Sequence, residues 1–314
     1  MVSATRPVAT GAGNRRSGGR GPVGTRRRAT MVAYLFALPF VLTFTFFMLF
    51  PLVSSLSMSF TDFTNRDISS PLAITFVGFD QYAELFSNRQ FVRSMFNTFY
   101  FVAVGIPLTM VVALALAVAL NSGITRFRTA FRVGFYAPVV TSIVAVAVVW
   151  RFILQPDGLL NTVLSWVGIS GPDWLNDTRS AMPAMILMAV WRNMGTLMII
   201  FLAGLQQVPQ DVLEAAQVDG ASSWQRFFRV TLPILRPTLL LGAVLLSVGF
   251  LQFFEEPFVM TRGGPLDSTL SISYFTYNQF GFGNYGVASA ASYVLFVAIA
   301  LLSIFQFRAF RSKD

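Results

Sequence analysis

The sequence predicts an all-α membrane protein: six transmembrane helices, with a polar cytoplasmic loop of two short helices between the fourth and the fifth. Three observations predict it. Of the 314 residues, 54% are apolar and 12% charged, with a mean hydropathy of +0.63, whereas a soluble domain carries about 25% charged residues. Six apolar runs each reach the roughly 20 residues needed to cross about 30 Å of hydrocarbon. The basic residues gather on alternate loops, the asymmetry that orients a multi-span chain.

Residues 1–30 are rich in Gly, Arg, Thr and Ala and hold seven arginines, from Arg6 to Arg28. Such a segment cannot bury a core and is expected to be a disordered basic tail. A nucleic-acid patch, a twin-arginine signal and a topology anchor compete for it. The apolar run that follows is longer than a signal-peptide core and lacks a clean small-residue cleavage site, which favours the anchor. The membrane domain is 31–307. Its predicted spans are 31–60, interrupted by Pro39 and Pro51; 97–120; 133–154, kinked near Pro138; 181–205; 238–260; and 285–307. Segments 61–93, 155–180 and 261–284 read as polar loops on one side. On the other lie the short loop 121–132, the loop 207–236 and the tail 308–314. That second side, with the N-terminal tail, carries sixteen basic residues, among them Arg126, Arg128, Arg132, Arg226, Arg229, Arg236, Arg308, Arg311 and Lys313. The first side holds five, Arg66, Arg89, Arg93, Arg179 and Arg262, against eight acids. Both termini are therefore expected in the cytoplasm, and the net charge of +9 reads as topology, with no nucleic-acid partner.

Several chemistries are excluded. With no cysteine there is no disulfide framework, thiol nucleophile or Cys-ligated metal, and with no histidine the usual zinc ligand and general base are missing. The only lysine, Lys313, follows no Gly-rich turn, so the chain has no phosphate-binding P-loop. Any ATP dependence must come from a partner.

Residues 206–237 form the longest polar interruption in the second half. Pro209 and Asp211 open a first helix, with Asp211 expected at the N-cap and Glu214 three residues on. Asp219-Gly220 stops it, glycine taking the position that usually needs positive φ. Ser222 caps a second helix with Gln225 as its partner, and Trp224, Phe227 and Phe228 share one face. Pro233 and Pro237 end it. Two such helices can simply pack against their own protein. The residue order points further. Glu214-Ala215-Ala216, then Gly220 after three residues, then Val230-Thr231-Leu232-Pro233 after nine, resembles the EAA loop of importer permeases in the ABC transporter superfamily. Val230 stands where isoleucine is commoner. Phe76-Val77-Gly78-Phe79-Asp80-Gln81-Tyr82, Asn97-Thr98, Pro138 with Ser142, Leu202-Ala203-Gly204-Leu205-Gln206 and the stretch from Phe254 to Pro265 are similar to the sugar-uptake branch of the maltose type. There Glu255 stands where aspartate is commoner, and Arg262 replaces a usual glycine.

The resemblance implies a permease subunit of a bacterial inner-membrane importer, with a second related permease, two ATPase subunits, an extracytoplasmic solute-binding protein and a carbohydrate cargo. ATP and Mg would sit on the ATPases, with no cofactor in this chain. The loop would be the coupling helix, docked in an ATPase groove through Glu214, Ala215, Ala216, Asp219, Gly220, Trp224, Phe227, Phe228, Leu232 and Pro233.

Arg192 lies about eleven residues into the fourth span, where arginine costs about 2.5–3.5 kcal/mol and must face protein or water. A structural contact is the bland reading; a cavity or gate residue, with Trp191 and Asn193 beside it, is the functional one. Phe254 and Glu255, near the outer end of the fifth span, complete the candidate substrate path, although Glu255 and Glu256 also suit an ordinary interface. Arg151 is expected to snorkel. A secondary transporter would show a midplane acid and inverted repeats, and no span carries such an acid; a non-transporting scaffold would bring no ATPase with it. The charge asymmetry makes one direct prediction. Single cysteines replacing Ser223 and Trp174 label from opposite sides of the membrane; labelling of both from outside refutes the orientation.

Overall fold

The computed structural model describes residues 23–70, 74–122 and 128–310; residues 1–22 of the tail expected at 1–30, residues 123–127 of the arginine loop 121–132 and the last four residues lie outside them. Among the described residues the chain is helical, with one isolated bridge between Thr61 and Phe76. It divides into two compact units at Ser54/Ser55.

The first unit is formed by α1 (Val23–Phe44), which starts eight residues ahead of the expected span, by a π-helical turn, Thr45–Leu49, and by the first half of α2 (Phe50–Met58), which runs across the boundary. The turn has a cause. Phe50 donates its amide to Thr45, five residues back, immediately before Pro51. Proline has no N–H and its ring crowds the carbonyl four residues earlier, so the helix widens there.

In the second unit an irregular segment follows the end of α2 and is held to the far end of the unit: Asn65 donates to the Gly283 carbonyl at 2.7 Å, and Gly286 to Phe63 at 2.9 Å. Thr75 donates both hydroxyl and amide to the Asp62 carboxylate, which holds that carboxyl below its ordinary range. The helices then follow in order: α3 (Asp80–Ser87), α4 (Arg89–Ser122), α5 (Arg128–Val140), α6 (Ile143–Ile153), α7 (Leu159–Trp166) and α8 (Ala181–Leu205). Four short pieces of the polar loop come next, then the long α12 (Arg236–Leu251), α13 (Glu255–Met260), α14 (Ile272–Gly281) and α15 (Tyr285–Phe310).

The core is built on α8. Apolar on every side, it buries residues from Ala181 to Leu205 around its whole circumference, as a helix enclosed by others must. It packs chiefly on α4, with α5 crossing it and α12 on a further side, while α14 and α15 close against α4 and α12. Glycines set the approach. A Cβ at Gly195 would run into the Phe135 carbonyl of α5, one at Gly105 would lie 2.7 Å from the Phe250 ring, and one at Gly204 2.9 Å from Thr238. Small residues let membrane helices close to van der Waals contact where no hydrophobic force drives them together. Phe101 of α4 stacks on Phe253 at 4.0 Å and 8°.

Among the described residues, four helices are long and apolar enough to cross a membrane: Thr30–Met58, Arg89–Asn121, Ala181–Leu205 and Tyr285–Ala309. The count reaches six only if two bent pairs are each one span. The third expected span is such a pair, bent by 101° between α5 and α6. The break falls at Thr141-Ser142, later than the kink expected at Pro138: the Thr141 hydroxyl bonds back to the Ala137 carbonyl and Ser142 turns extended, with ψ 129. The fifth span, expected at 238–260, stops at Leu251 and resumes as α13 after Gln252–Phe254. Pro257 cannot donate to the Phe253 carbonyl, so a continuous helix through this point is broken upstream. The segments read as polar loops hold α3, α7 and α14, and α14 buries Ile272, Tyr274 and Phe275.

Gly195→Val should lower the stability of the purified chain by about 1–3 kcal/mol through overpacking. Gly249→Val, where nothing lies within 4 Å of the new Cβ, should leave it near wild type. Equal melting of the two variants would count against the α5–α8 contact.

Candidate functional site

The polar loop begins where Val208 is buried at the end of α8. Pro209, extended at φ −61 and ψ 130, is the N-cap of α9 (Gln210–Val218). Asp211 therefore lies in the first turn and does not cap, because Pro209 already turns the chain one residue ahead of α9. The stop is as read from sequence. Gly220 has φ +79, its amide reaches the Gln217 carbonyl, and Ala221 reaches Ala216, both at 3.0 Å, the paired bonds that satisfy a helix end around a left-handed residue. Ser222 caps α10 (Ser223–Arg226): its hydroxyl accepts from the Gln225 amide at 3.3 Å, and Gln225 Oε1 accepts from the Ser222 amide at 2.9 Å. Arg226 donates to Gln217 Oε1 at 2.9 Å and to Ser223 Oγ at 3.2 Å, tying the two helices together.

The helix does not end at Pro233. It continues through a π-helical turn, Phe227–Thr231, into α11 (Leu232–Ile234), then bends by 67° at Leu235 into α12. The turn again precedes a proline, Leu232 donating to Phe227 just before Pro233. Thr231 and Leu235 are buried, and Leu235 with Thr238 meets Gly204 of α8. Between these anchors the surface is open. Glu214, Ala215, Asp219 and Gly220 are exposed, Ala216, Phe227, Leu232 and Pro233 half-buried. Val218 is 88% exposed, Trp224 74% and Phe228 47%. Trp224 and Phe227 both meet Phe228 edge-on, at 4.9 and 5.1 Å. An apolar, preordered aromatic cluster facing outward is a surface that can dock a partner.

Midway along α8, Trp191, Arg192 and Asn193 are all half-buried. Trp191 meets Trp150 of α6 at 5.7 Å, and both line an apolar cavity of about 520 Å³ in the elbow of α5 and α6. Asn193 spends its amide on the Ala189 carbonyl of its own helix, at 2.8 Å. Arg192 Nε is buried with no hydrogen-bond partner. Phe254 sits apart from these in a ring cluster with Phe258, Tyr274 and Tyr277, and Glu255 is half-buried beside it.

Glu256, which the sequence suggested only as an ordinary interface residue, is the one left out of the candidate path. It is 6% exposed at the start of α13, its Oε2 has no partner, and the charges acting on it are those of Glu255 and Arg192. The signal was present as spacing: Phe253, Glu256, Pro257 and Met260 are all buried, one helical face at three- and four-residue intervals.

Residues 24–312 match the family described as "Binding-protein-dependent transport system inner membrane component". The chain is 36% identical over 288 residues to the probable ABC transporter permease protein YesP of Bacillus subtilis (strain 168), covering 90% of this chain and 91% of that one. It is 34% identical to the lactose transport system permease protein LacF of Rhizobium radiobacter, covering 89% and 94%. In structure it is similar to a chain of a bacterial alginate ABC transporter in complex with alginate pentasaccharide-bound periplasmic protein, with a TM-score of 0.78, 26% identity, and coverage of 93% and 98%.

Half-buried Arg192 and buried Glu256 form no ion pair, yet the charge of Arg192 acts on the Glu256 carboxyl, which gives a measurable expectation. Where two charges act on each other in a poorly solvated interior, removing one leaves the other uncompensated, whereas removing both costs less. Arg192→Met and Glu256→Met should each lower the melting temperature of the purified chain, and the double variant should recover part of the loss, with a coupling of about 0.5–3 kcal/mol. Additive losses would show that the two charges do not act on each other.

Proposed function

The chain belongs to the family of binding-protein-dependent transport system inner membrane components, and on that premise we propose that it carries a carbohydrate into the cytoplasm by alternating access. It is a multi-pass permease subunit of an ABC importer, and ATP hydrolysis belongs to a separate subunit. The sugar cargo is supported by the lactose permease and alginate transporter it resembles. In the proposed assembly it pairs with a second related permease, two ATPases that bind ATP and Mg, and an extracytoplasmic binding protein, with both of its own termini cytoplasmic.

The observation that carries the mechanism is the exposed aromatic cluster on a loop anchored to α8. Trp224, Phe227 and Phe228 enter the ATPase groove, and the exposed Glu214, Ala215 and Asp219 surround them. Gly220 sets the angle between the two loop helices, while Leu232 and Pro233 form the hinge back to α12. ATP closes the ATPases and so binds one state of the assembly better than the other, which is what a ligand-driven shift requires. The cargo path runs past Trp191, Arg192 and Asn193, with Trp150 and Glu256 joining the Phe254–Glu255 segment. Flat indole faces suit the C–H faces of a sugar ring, and Arg192 and Glu256 supply hydrogen bonds to hydroxyl groups.

Uptake of a radiolabelled sugar panel by cells carrying the complete transporter tests the cargo; transport of none, with the ATPase bound and active, refutes it. The docking account makes a ranked prediction. Burying a ring is worth about 1.5–3 kcal/mol, an exposed ion pair about 0–1. Trp224→Ala and Phe228→Ala should therefore release more ATPase on co-purification, and lower uptake more, than Glu214→Gln. If Glu214→Gln alone releases the ATPase while both ring variants retain it, a buried charge at the contact, not the aromatic cluster, holds the subunits together.

A further inference from the structure

At the opposite end of α8 from the exposed loop, about 37 Å away along a 25-residue helix, lies a cavity of about 720 Å³. Its wall carries three guanidinium groups. Arg89 and Arg93 stand one turn apart at the start of α4, and Arg179 lies just before α8. No carboxylate lines it, and among the described residues none of the three arginines forms an ion pair. A nearby cavity at Arg151 is built differently, with Asp157 and Asp173 in the same wall. Arginines that merely reach for water gather acids or spread apart; three like charges around one hollow repel each other until an anion enters.

The second observation is Ser268. It is 7% exposed, lines the same cavity, and its Oγ is buried with no hydrogen-bond partner. Its position is fixed from both sides, because the Asn97 amide of α4 donates to the carbonyls of Asp267 at 2.7 Å and Leu270 at 2.9 Å. A hydroxyl held in place and left without a partner is a donor waiting for an acceptor. Below the arginines the wall turns to Phe96 and Tyr100, so the hollow is charged at its rim and apolar deeper along α4. Its volume falls in the range of small-molecule sites.

We propose that this cavity is an anion-binding site that takes the oxygens of a carboxylate, sulfate or phosphate group, carried either by a small solute or by a lipid headgroup. The guanidiniums hold the oxygens by charge-assisted hydrogen bonds, Ser268 donates one more, and the apolar wall receives the body of the ligand.

The test uses the full chain purified and delipidated in a neutral detergent. Sodium glucuronate is titrated against glucose, and phosphatidylglycerol against phosphatidylcholine, with melting temperature and native mass spectrometry as readouts. One anionic probe should act at a concentration about tenfold or more below its neutral counterpart. Arg93→Gln and Arg179→Gln should each weaken that response about tenfold, Arg93→Lys less, and Arg151→Gln not at all. A response to glucuronate assigns a soluble anion, and one to phosphatidylglycerol a lipid. Ser268→Ala, which keeps every charge and removes only the hydroxyl, should weaken the response while leaving the ligand-free melting temperature unchanged. No preference for either anion over its neutral partner overturns the site, as does an equal loss in Arg151→Gln.

Discussion

The close seating of α8 against α4, α5 and α12 is the constraint on which the rest of this structure depends. A membrane gives helices no hydrophobic reason to associate, so contact must come from shape. Here the shape is set by glycines. Gly195 admits the α5 backbone, Gly105 admits the Phe250 ring and Gly204 receives Leu235 and Thr238. The last of these matters beyond packing. It joins the foot of the exposed loop to the end of α8 at a corner where Thr231 and Leu235 are buried. Under the proposed function, a displacement of the Trp224–Phe228 surface therefore arrives at a rigid joint rather than at a flexible tether.

Prolines organise what the glycines bring together. Pro51 and Pro233 each follow a π-helical turn whose closing amide reaches five residues back, to Thr45 and to Phe227. In both places the helix absorbs the missing donor by widening and carries on. Pro257 has a different outcome, because the chain gives up helix between Gln252 and Phe254 before it. The difference lies in position: Pro257 falls in the first turn of α13, where its missing N–H has no helical partner to lose.

Much of the fold was legible because hydropathy acts over long windows. The runs that became α4, α8 and α15 stand out from their flanks, and the capping box of Ser222 with Gln225 and the positive φ of Gly220 depend only on neighbours in sequence. What was not legible depends on tertiary surroundings. Asp211 has the right chemistry for an N-cap, but Pro209 had already turned the chain. The 101° bend at Thr141-Ser142 sits inside one apolar run whose obvious breaker is Pro138, so the sequence places the kink three residues early and leaves its size unstated. Helix α14 looked like loop because Ser, Thr, Tyr and Asn dilute its apolar face, yet Ile272, Tyr274 and Phe275 are buried against its neighbours. Glu256 was missed for a related reason. Two adjacent glutamates are about 100° apart on a helix, and only the break before α13 decides which of them turns inward.

The candidate path gathers features that look unrelated but share one requirement. Arg192 and Glu256 are charges that lipid would penalise. The interruption at Gln252–Phe254 and the bend at Thr141-Ser142 expose backbone groups, which hydrocarbon cannot satisfy and which persist at membrane depth only inside protein or beside water. Trp150 and Trp191 face an open cavity rather than a filled core. Each feature alone has an ordinary explanation, but each demands an interior screened from lipid. Helix α13 packs on α6, and α6 meets α8 through the two tryptophans. A helix bundle built only for stability would carry apolar side chains at positions 192 and 256, since replacing buried charges by packed hydrophobic residues is often neutral or stabilising. Under the proposed function, polar groups kept beside broken helices are what a solute path needs, because hydroxyl-rich cargo must find partners there in place of water.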